Sequence, residues 1–374
     1  MTRSARPRAV AAAGARRHEL SRHPETYARL LLPWFDHAGR HDLPWQHPRT
    51  PYRVWLSEVM LQQTQVRVVV PYFERFVATL PTLPDLAAAS QDQVLALWSG
   101  LGYYARARNL HAAARRCVEL HAGELPREIA ALTALPGIGR STAAAIASQA
   151  WGDAHAILDG NVRRVLARVH AVEGWPGLPK VEKRLWQLAD AHLQAAALPP
   201  ARMPDYTQAQ MDLGATLCTR SAPACVLCPL RDVCTARIEG RVEELPTPRP
   251  SKVLPRRHAH VLLVEDARGR VLLQQRAPAG VWASLWSLPQ FDDAAAARDW
   301  AGRYLHIPAA FVALDTIAHG FSHYLLDLHP LHARDATPRG VADGLLRWAS
   351  RADLAALGLP SPIRTLLEAR MRVD

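Results

Sequence analysis

The chain has 374 residues, 49% of them hydrophobic and 21% charged, a composition that suits a water-soluble protein with room for two or more separately cored domains. No apolar run is long enough to span a bilayer, and no charged n-region followed by an apolar h-region opens the sequence, which argues against a membrane-spanning or secreted protein. The formal charge of +11 favours a polyanionic partner, most simply nucleic acid, although arginine-rich codon usage gives the same balance.

Residues 1–23 are rich in Arg and Ala, nearly free of acid and without apolar periodicity. They read as a disordered basic tail, with an organellar transit peptide as the second reading. From Pro24 to Ile238 the periodicity is helical, as in Val94–Trp98, Leu110–Leu120, Ser141–Gln149 and Val162–Val169. Pro51–Val66 reads as one strongly apolar helix with a single acid, Glu58, among Val54, Trp55, Val59 and Leu61. An isolated carboxylate there is costly unless it is exposed or functional. Gln62, one turn on, is expected on the same face. Desolvation would raise the Glu58 pKa toward the range of a general acid. The plain alternative is a solvated surface Glu, which the flanking apolar residues and the following Gln62 and Gln63 disfavour.

Thr133–Ala150 reads as helix, tight turn and helix, with Gly137 and Gly139 at the turn. Glycines at that spacing allow a sharp reversal with exposed amides beside a helix N-terminus, a natural phosphate site. An ordinary helical corner is the alternative, and the string LPGIGRSTA disfavours it. In Ala156–Val169, Asp159 precedes a helix whose apolar face is Val162, Val165, Leu166 and Val169. On this segment alone Asp159 or Asn161 is most simply the N-cap; closeness to the hairpin raises a catalytic alternative.

Cys218, Cys225, Cys228 and Cys234 follow the spacing C-x6-C-x2-C-x5-C. Zinc sites more often use two separated short-spaced pairs, so three unequal gaps around one loop favour a [4Fe–4S] cluster over zinc. Disulfides are disfavoured, since Cys117 is the other cysteine and nothing marks the chain as secreted. Pro246, Pro248, Pro250 and Pro255 mark a stiff linker. Beyond it, residues 258–277 read as a β-hairpin turning at Asp266–Gly269, residues 319–330 as a further strand, and residues 361–371 as a closing helix. The fold class is a mainly α region followed by a smaller α+β domain.

The segments LPW, SEVMLQQTQV, GLGYYARARNL, LPGIGRSTA, LDGNVRRVLAR, the cysteine loop and FSH occur in this order. Together they resemble the MutY family of helix-hairpin-helix, iron–sulfur base-excision glycosylases, over about residues 24–370. The resemblance implies a basic tail at 1–23 and a helical glycosylase region at 24–239. Within that region it places a six-helix domain at about 44–155 and a cluster module at 24–43 and 156–239. A linker at 240–256 and a Nudix-like domain at 257–374 would follow. It further implies a monomer in the cytoplasm, associated with the nucleoid, acting on duplex DNA that contains A:8-oxoguanine or A:G.

By that resemblance Glu58 protonates the flipped adenine at N7, Asp159 stabilises or attacks the oxocarbenium-like sugar, and Asn161 supports it. Gln208 bonds the base and Trp45 walls the pocket, while Gln63 and Tyr103 wedge into the duplex. The four cysteines hold the cluster, and Arg220 and Arg231 lie near the DNA backbone. Gln62, Gly137, Gly139 and Ser141 also fall in the DNA- or substrate-contacting motifs. Ser141 stands where the endonuclease III relatives place a Schiff-base lysine, so a monofunctional enzyme is expected. The C-terminal domain lacks the R-E-x-x-E-E-x-G magnesium helix of Nudix enzymes, so pyrophosphatase activity is not expected; Phe321, Ser322 and His323 would instead read the 8-oxoguanine strand. The competing functions are a bifunctional pyrimidine-lesion glycosylase/lyase and a non-catalytic iron–sulfur nucleic-acid-binding protein.

Overall fold

The computed structural model describes residues 19–251, 253–339 and 345–370. The segment read as a basic tail therefore lies outside the described residues up to position 18. Its end departs from that reading, because Glu19–Arg22 is a short helix, α1, with Leu20 buried.

Helices then follow in chain order: α2 (Glu25–Ala38), α3 (Pro51–Leu61), α4 (Val66–Thr79), α5 (Leu83–Ala88), α6 (Gln91–Trp98), α7 (Ala105–Leu120), α8 (Ile129–Thr133), α9 (Arg140–Trp151), α10 (Gly160–Val169), α11 (Pro179–Ala196), α12 (Met203–Asp212) and α13 (Thr235–Ile238). Local chemistry sets several starts. Thr50, Thr82 and Ser90 each accept a backbone N–H from the first turn of α3, α5 and α6, and Pro at N1 or N2 opens α3, α5 and α11.

Contacts divide the chain into two compact units, Met1–Phe73 with Arg116–Ser251, and Glu74–Arg115 with Lys252–Asp374. In the first, α9 packs along α3 and α12, and α2 packs on α11 and α12. Its core gathers Tyr27, Leu31, Phe35, Val162, Leu166, Leu185, Tyr206 and Leu213. Burying aliphatic side chains of this size stabilises by about 1.5–3 kcal/mol each.

The second unit is not contiguous in sequence, and specific bonds show why 74–115 joins the C-terminal chain. Trp286 Nε1 donates to Asp92 at 3.2 Å, Tyr104 OH donates to the Leu359 carbonyl at 2.8 Å, and Arg108 donates to the Ala283 carbonyl at 2.9 Å. Its strands are β1 (Arg256–Val264), β2 (Val271–Gln275), β3 (Trp286–Ser287), β4 (Gln290–Phe291), β5 (Leu305–His306), β6 (Val312–Ala313), β7 (Ile317–Gly320), β8 (Leu325–Ala333), β9 (Thr337–Pro338) and β10 (Leu346–Ala349), with α14 (Ala294–Tyr304), α15 (Arg351–Ala355) and α16 (Ser361–Arg370). The main sheet runs β4-β1-β8-β6 with β7 also on β8; β10-β2-β3 and β5-β9 are separate.

The expected hairpin does not form as such. Its turn exists, with Gly269 N donating to the Asp266 carbonyl at 2.9 Å, but β1 leaves to pair in parallel with β8 while β2 pairs with β10 and β3. The cause is visible in burial: Val261 to Val264 are all buried, the mark of a strand covered on both faces rather than a half-exposed hairpin arm. The strand expected over residues 319–330 is likewise two strands, β7 and β8, split at Phe321–Tyr324, where Phe321 N donates to the Tyr324 carbonyl at 2.9 Å. The closing helix is α16.

Candidate active site

Glu58 sits in the last turns of α3 and faces α9. Gln149, itself buried, donates its side-chain N–H to Glu58 Oε1 at 2.7 Å. Asp159 caps α10: Oδ1 accepts Val162 N–H at 2.8 Å, and Oδ2 accepts the Asn161 amide at 3.2 Å. The N-cap alternative in the sequence is thus met by Asp159. Both carboxylate residues are half-buried.

Their electrostatics are coupled. Burial is the largest cause lifting the Glu58 pKa from its ordinary 4.5 to about 7; the Asp159 charge adds to the rise and the Gln149 hydrogen bond opposes it. Burial also raises Asp159, against the pull of the Val162 and Asn161 amides and the Arg164 charge. Two carboxyl groups in different hydrogen-bond settings can hold different protonation states, one acid and one anion. Gln149 is absent from the sequence reading; its signal was a lone amide in an Ala-rich helix.

Ser141, on the first turn of α9, accepts Leu158 N–H at 2.9 Å and so anchors the residue before Asp159. A second unread residue, Arg164, donates to Asn161 Oδ1 at 2.8 Å, to the Gly214 carbonyl at 2.7 Å and to the Cys218 carbonyl at 2.6 Å. It ties the Asp159 helix to the start of the cysteine loop. Gly214 is required there, since a Cβ would come within 2.5 Å of Asn161 Cβ.

The helix is shorter than expected, and Gln62 is its C-cap, with a helical φ that keeps it one turn on from Glu58. The helix ends at Leu61, the chain leaves its path after Gln62 at ψ 110°, and Gln63 lies in the left-handed region at φ +59°. In the other unit, Tyr103 is also left-handed, at φ +49°, and 52% exposed. Such backbone costs about 1–3 kcal/mol in non-glycine residues and concentrates at functional positions.

Trp45 is buried edge-on against Phe73, with ring centroids 5.4 Å apart. Gln208 is buried and donates to Asp212 Oδ1 at 2.7 Å, a carboxylate clamped by the Arg40 backbone N–H at 2.7 Å and Nε at 2.9 Å. The glycine turn has Gly137 at φ +80°. Gly139 is the N-cap of α9 without a side-chain cap, and nothing lies within 4 Å of a Cβ built there. The protein thus imposes no steric need for glycine at 139.

Cys218, Cys225, Cys228 and Cys234 line one cavity with Val165, Leu213 and Leu230, and all are free thiols. The buried Arg168 comes within 3.3 Å of Cys218 Sγ and donates to the Thr219 carbonyl at 2.7 Å. Among the described residues no three His, Cys, Asp or Glu side chains are arranged to hold a single ion. Four cysteines gathered at one cavity could hold a shared metal or cluster centre. Arg231 spends part of its charge on Asp232 at 3.4 Å and donates to the Val226 carbonyl at 2.8 Å, while the Arg220 carbonyl accepts from Arg168 at 3.1 Å.

The Phe321–His323 trio lies on the β7–β8 turn. Phe321 is anchored among Trp282, His319 and Tyr324, at centroid distances of 5.4, 4.7 and 4.7 Å. Ser322 and His323 form the exposed tip. Trp282, at φ +57°, is the support that the sequence did not reveal.

Residues 56–191 match the HhH-GPD superfamily base excision DNA repair protein model and residues 260–369 the NUDIX domain model. The chain is 33% identical over 344 residues to an adenine DNA glycosylase of Buchnera aphidicola (subsp. Acyrthosiphon pisum, strain APS), covering 91% of this chain and 97% of that protein. It is 35% identical over 390 residues to the human adenine DNA glycosylase, covering 86% and 70%. Among solved structures, a thermostable thymine-DNA glycosylase matches with a TM-score of 0.51 at 25% identity, over 59% of this chain and 99% of that one.

Proposed function

The chain belongs to the adenine DNA glycosylase family, and from that premise we propose that it excises adenine mispaired with 8-oxoguanine or guanine, with Glu58 as acid and Asp159 as counter-charge. It is a base-excision-repair enzyme that removes adenine from DNA by hydrolysing the N-glycosidic bond, built from a helix-hairpin-helix glycosylase region and a Nudix-like domain. The observation that carries the assignment of roles is the coupled pair: a carboxyl raised to about 7 beside a capped carboxylate that raises it.

With its pKa raised to about 7, Glu58 can carry a proton near neutral pH. It can deliver that proton to N7 of an extruded purine, turning adenine into a neutral leaving group. Positive charge then grows on the sugar and Asp159, bonded by Val162 and Asn161, faces it as an anion. Gln149 and Ser141 act as positioning residues for the two carboxyls. Gln208, with its amide nitrogen spent on Asp212, offers its oxygen to the base, and Trp45 backs the pocket. Gln63 and Tyr103 enter the duplex, while the glycine turn and the N-terminus of α9 hold a phosphate.

Cys218, Cys225, Cys228 and Cys234 would hold a [4Fe–4S] cluster whose contribution is to fix the loop. Without a lysine at 141, no Schiff base forms and the strand is left intact. Phe321, Ser322 and His323 serve the 8-oxoguanine side. The enzyme works as a monomer on nucleoid DNA; no described helix is long and apolar enough to cross a membrane.

The test is base release from duplexes carrying one A:8-oxoguanine or A:G pair, against A:T and C:8-oxoguanine, for the natural enzyme and Glu58→Gln. Release confined to the first two duplexes and lost in the variant, with binding retained, supports the reading. Equal release from A:T, or an unaffected variant, contradicts it.

A further inference from the structure

The C-terminal sheet carries a histidine group that the proposed reaction does not use. On β1, His258 is exposed and His260 half-buried, on the face opposite the buried Ala259 and Val261. The parallel register sets His258 beside Asp327 and His260 beside His329 of β8. Residues two apart on a strand share a face about 6.6 Å apart, and the neighbouring strand lies about 4.8 Å away. Three imidazoles thus form a compact triangle on one face. The rings are already together: His258 and His329 stack at 5.5 Å, and His260 lies tilted against His329 at 5.0 Å between centroids.

The nitrogen positions carry the argument further. His258 Nδ1 is 3.2 Å from His329 Nε2. Two nitrogens bound at 2.0–2.1 Å on a tetrahedral zinc stand about 3.3–3.4 Å apart, so this pair already has nearly the required bite. Thr316 Oγ1 lies 3.0 Å from His329 Nδ1. As acceptor it fixes the proton on Nδ1 and leaves a lone pair on Nε2, the outer-sphere arrangement typical of metal-binding histidines. His260 Nδ1 is buried without a hydrogen-bond partner, a donor or acceptor whose desolvation nothing in the protein offsets. Asp327, held by Arg256 at 2.7 and 2.9 Å, stands 3.9 Å from His258 Nδ1. The three donors do not yet enclose one point; rotation of the exposed His258 and half-exposed His260 rings closes the triangle.

We propose that His258, His260 and His329 form a binding site for a divalent transition metal of the zinc class on the open face of the β1–β8 pair. Imidazole donors select zinc, cobalt, nickel or copper over magnesium or calcium. The site is therefore chemically distinct from the magnesium helix that the Nudix-like domain lacks. Binding replaces the His258–His329 hydrogen bond by two metal–nitrogen bonds, with His258 shifting its proton to Nε2, so no net proton is released. The ion ties the first strand after the linker to β8, just beyond the turn that carries Phe321, Ser322 and His323.

Cobalt(II) is the probe, titrated into the full-length chain with its cysteine centre as purified. The expected result is one equivalent bound with micromolar or tighter affinity and a visible spectrum without thiolate-to-cobalt charge transfer. His329→Gln and the pair His258→Ala with His260→Ala should each weaken binding by more than tenfold, and Thr316→Val by about tenfold. Zinc should displace the cobalt, and far-UV circular dichroism of each variant should match the natural chain. Affinity no tighter than millimolar, unchanged affinity in the histidine variants, or a spectrum dominated by thiolate bands overturns the site.

Discussion

The carboxylate site and the Phe321–His323 turn solve positioning in opposite ways. Glu58 and Asp159 are held by hydrogen bonds from Gln149, Val162 and Asn161 inside a helical core. The turn is held by tilted and edge-on ring contacts, with Trp282, His319 and Tyr324 gripping Phe321 while its polar tip is exposed. A proton must be delivered to one atom, which calls for directional bonds in a desolvated pocket. Reading the face of a damaged base tolerates more play, and apolar anchoring of a short turn suffices. Changes at the first region should therefore act on rate, and changes at the second on discrimination.

The largest effect expected is from Glu58→Gln, a loss of adenine release of about 10²–10⁴-fold, measured by single turnover. The same variant should be the more stable protein at alkaline pH. Glu58 ionises at about 7 when folded against an ordinary 4.5, so the folded state holds the extra proton between those values and stability falls as pH rises through them. Removing the charge should raise Tm at pH 8 and change it less at pH 5. A Tm gain at pH 5 that matches or exceeds the gain at pH 8 would refute the buried-acid account.

Next in size, Arg164→Met removes three hydrogen bonds joining Asn161, Gly214 and Cys218. At about 1.5–3 kcal/mol for a hydrogen bond to a charged group, thermal unfolding should show at least one such loss, with release slowed in parallel. On the recognition side, Phe321→Ala should lower the preference for A:8-oxoguanine over A:G by roughly tenfold, a loss of about 1.4 kcal/mol, while release from A:G changes little. An equal fall on both duplexes would erase the contrast between the regions. The smallest effect is the most specific: Gln149→Leu deletes the bond that lowers the Glu58 pKa, so the alkaline limb of the pH–rate profile should move to higher pH.

Much of the candidate site was legible because its signals are local. A lone acid in an apolar helix, a glycine turn, an aspartate at a helix start and four close cysteines each need only a short window of sequence. What stayed hidden depends on partners distant in sequence. Gln149 matters only because α9 lies on α3, and Arg164 only because Gly214 and Cys218 pass its guanidinium. The parallel β1–β8 pairing joins segments about seventy residues apart, so a turn at Asp266–Gly269 read locally as a hairpin. The end of α3 was misjudged for a different reason: Gln62 and Gln63 are helix-compatible residues, and Gln63 adopts φ +59° against its own preference.

The central claim is a proton held by Glu58 near neutrality and given to the departing base. Single-turnover release of adenine from an A:8-oxoguanine duplex, followed from pH 5.5 to 9 with the natural enzyme and Glu58→Gln, tests it most directly. The account predicts a limb that falls tenfold per pH unit above about 7 in the natural enzyme, and a slow rate without that limb in the variant. A natural enzyme whose rate is flat across this range, or a variant that keeps the same limb, would contradict it.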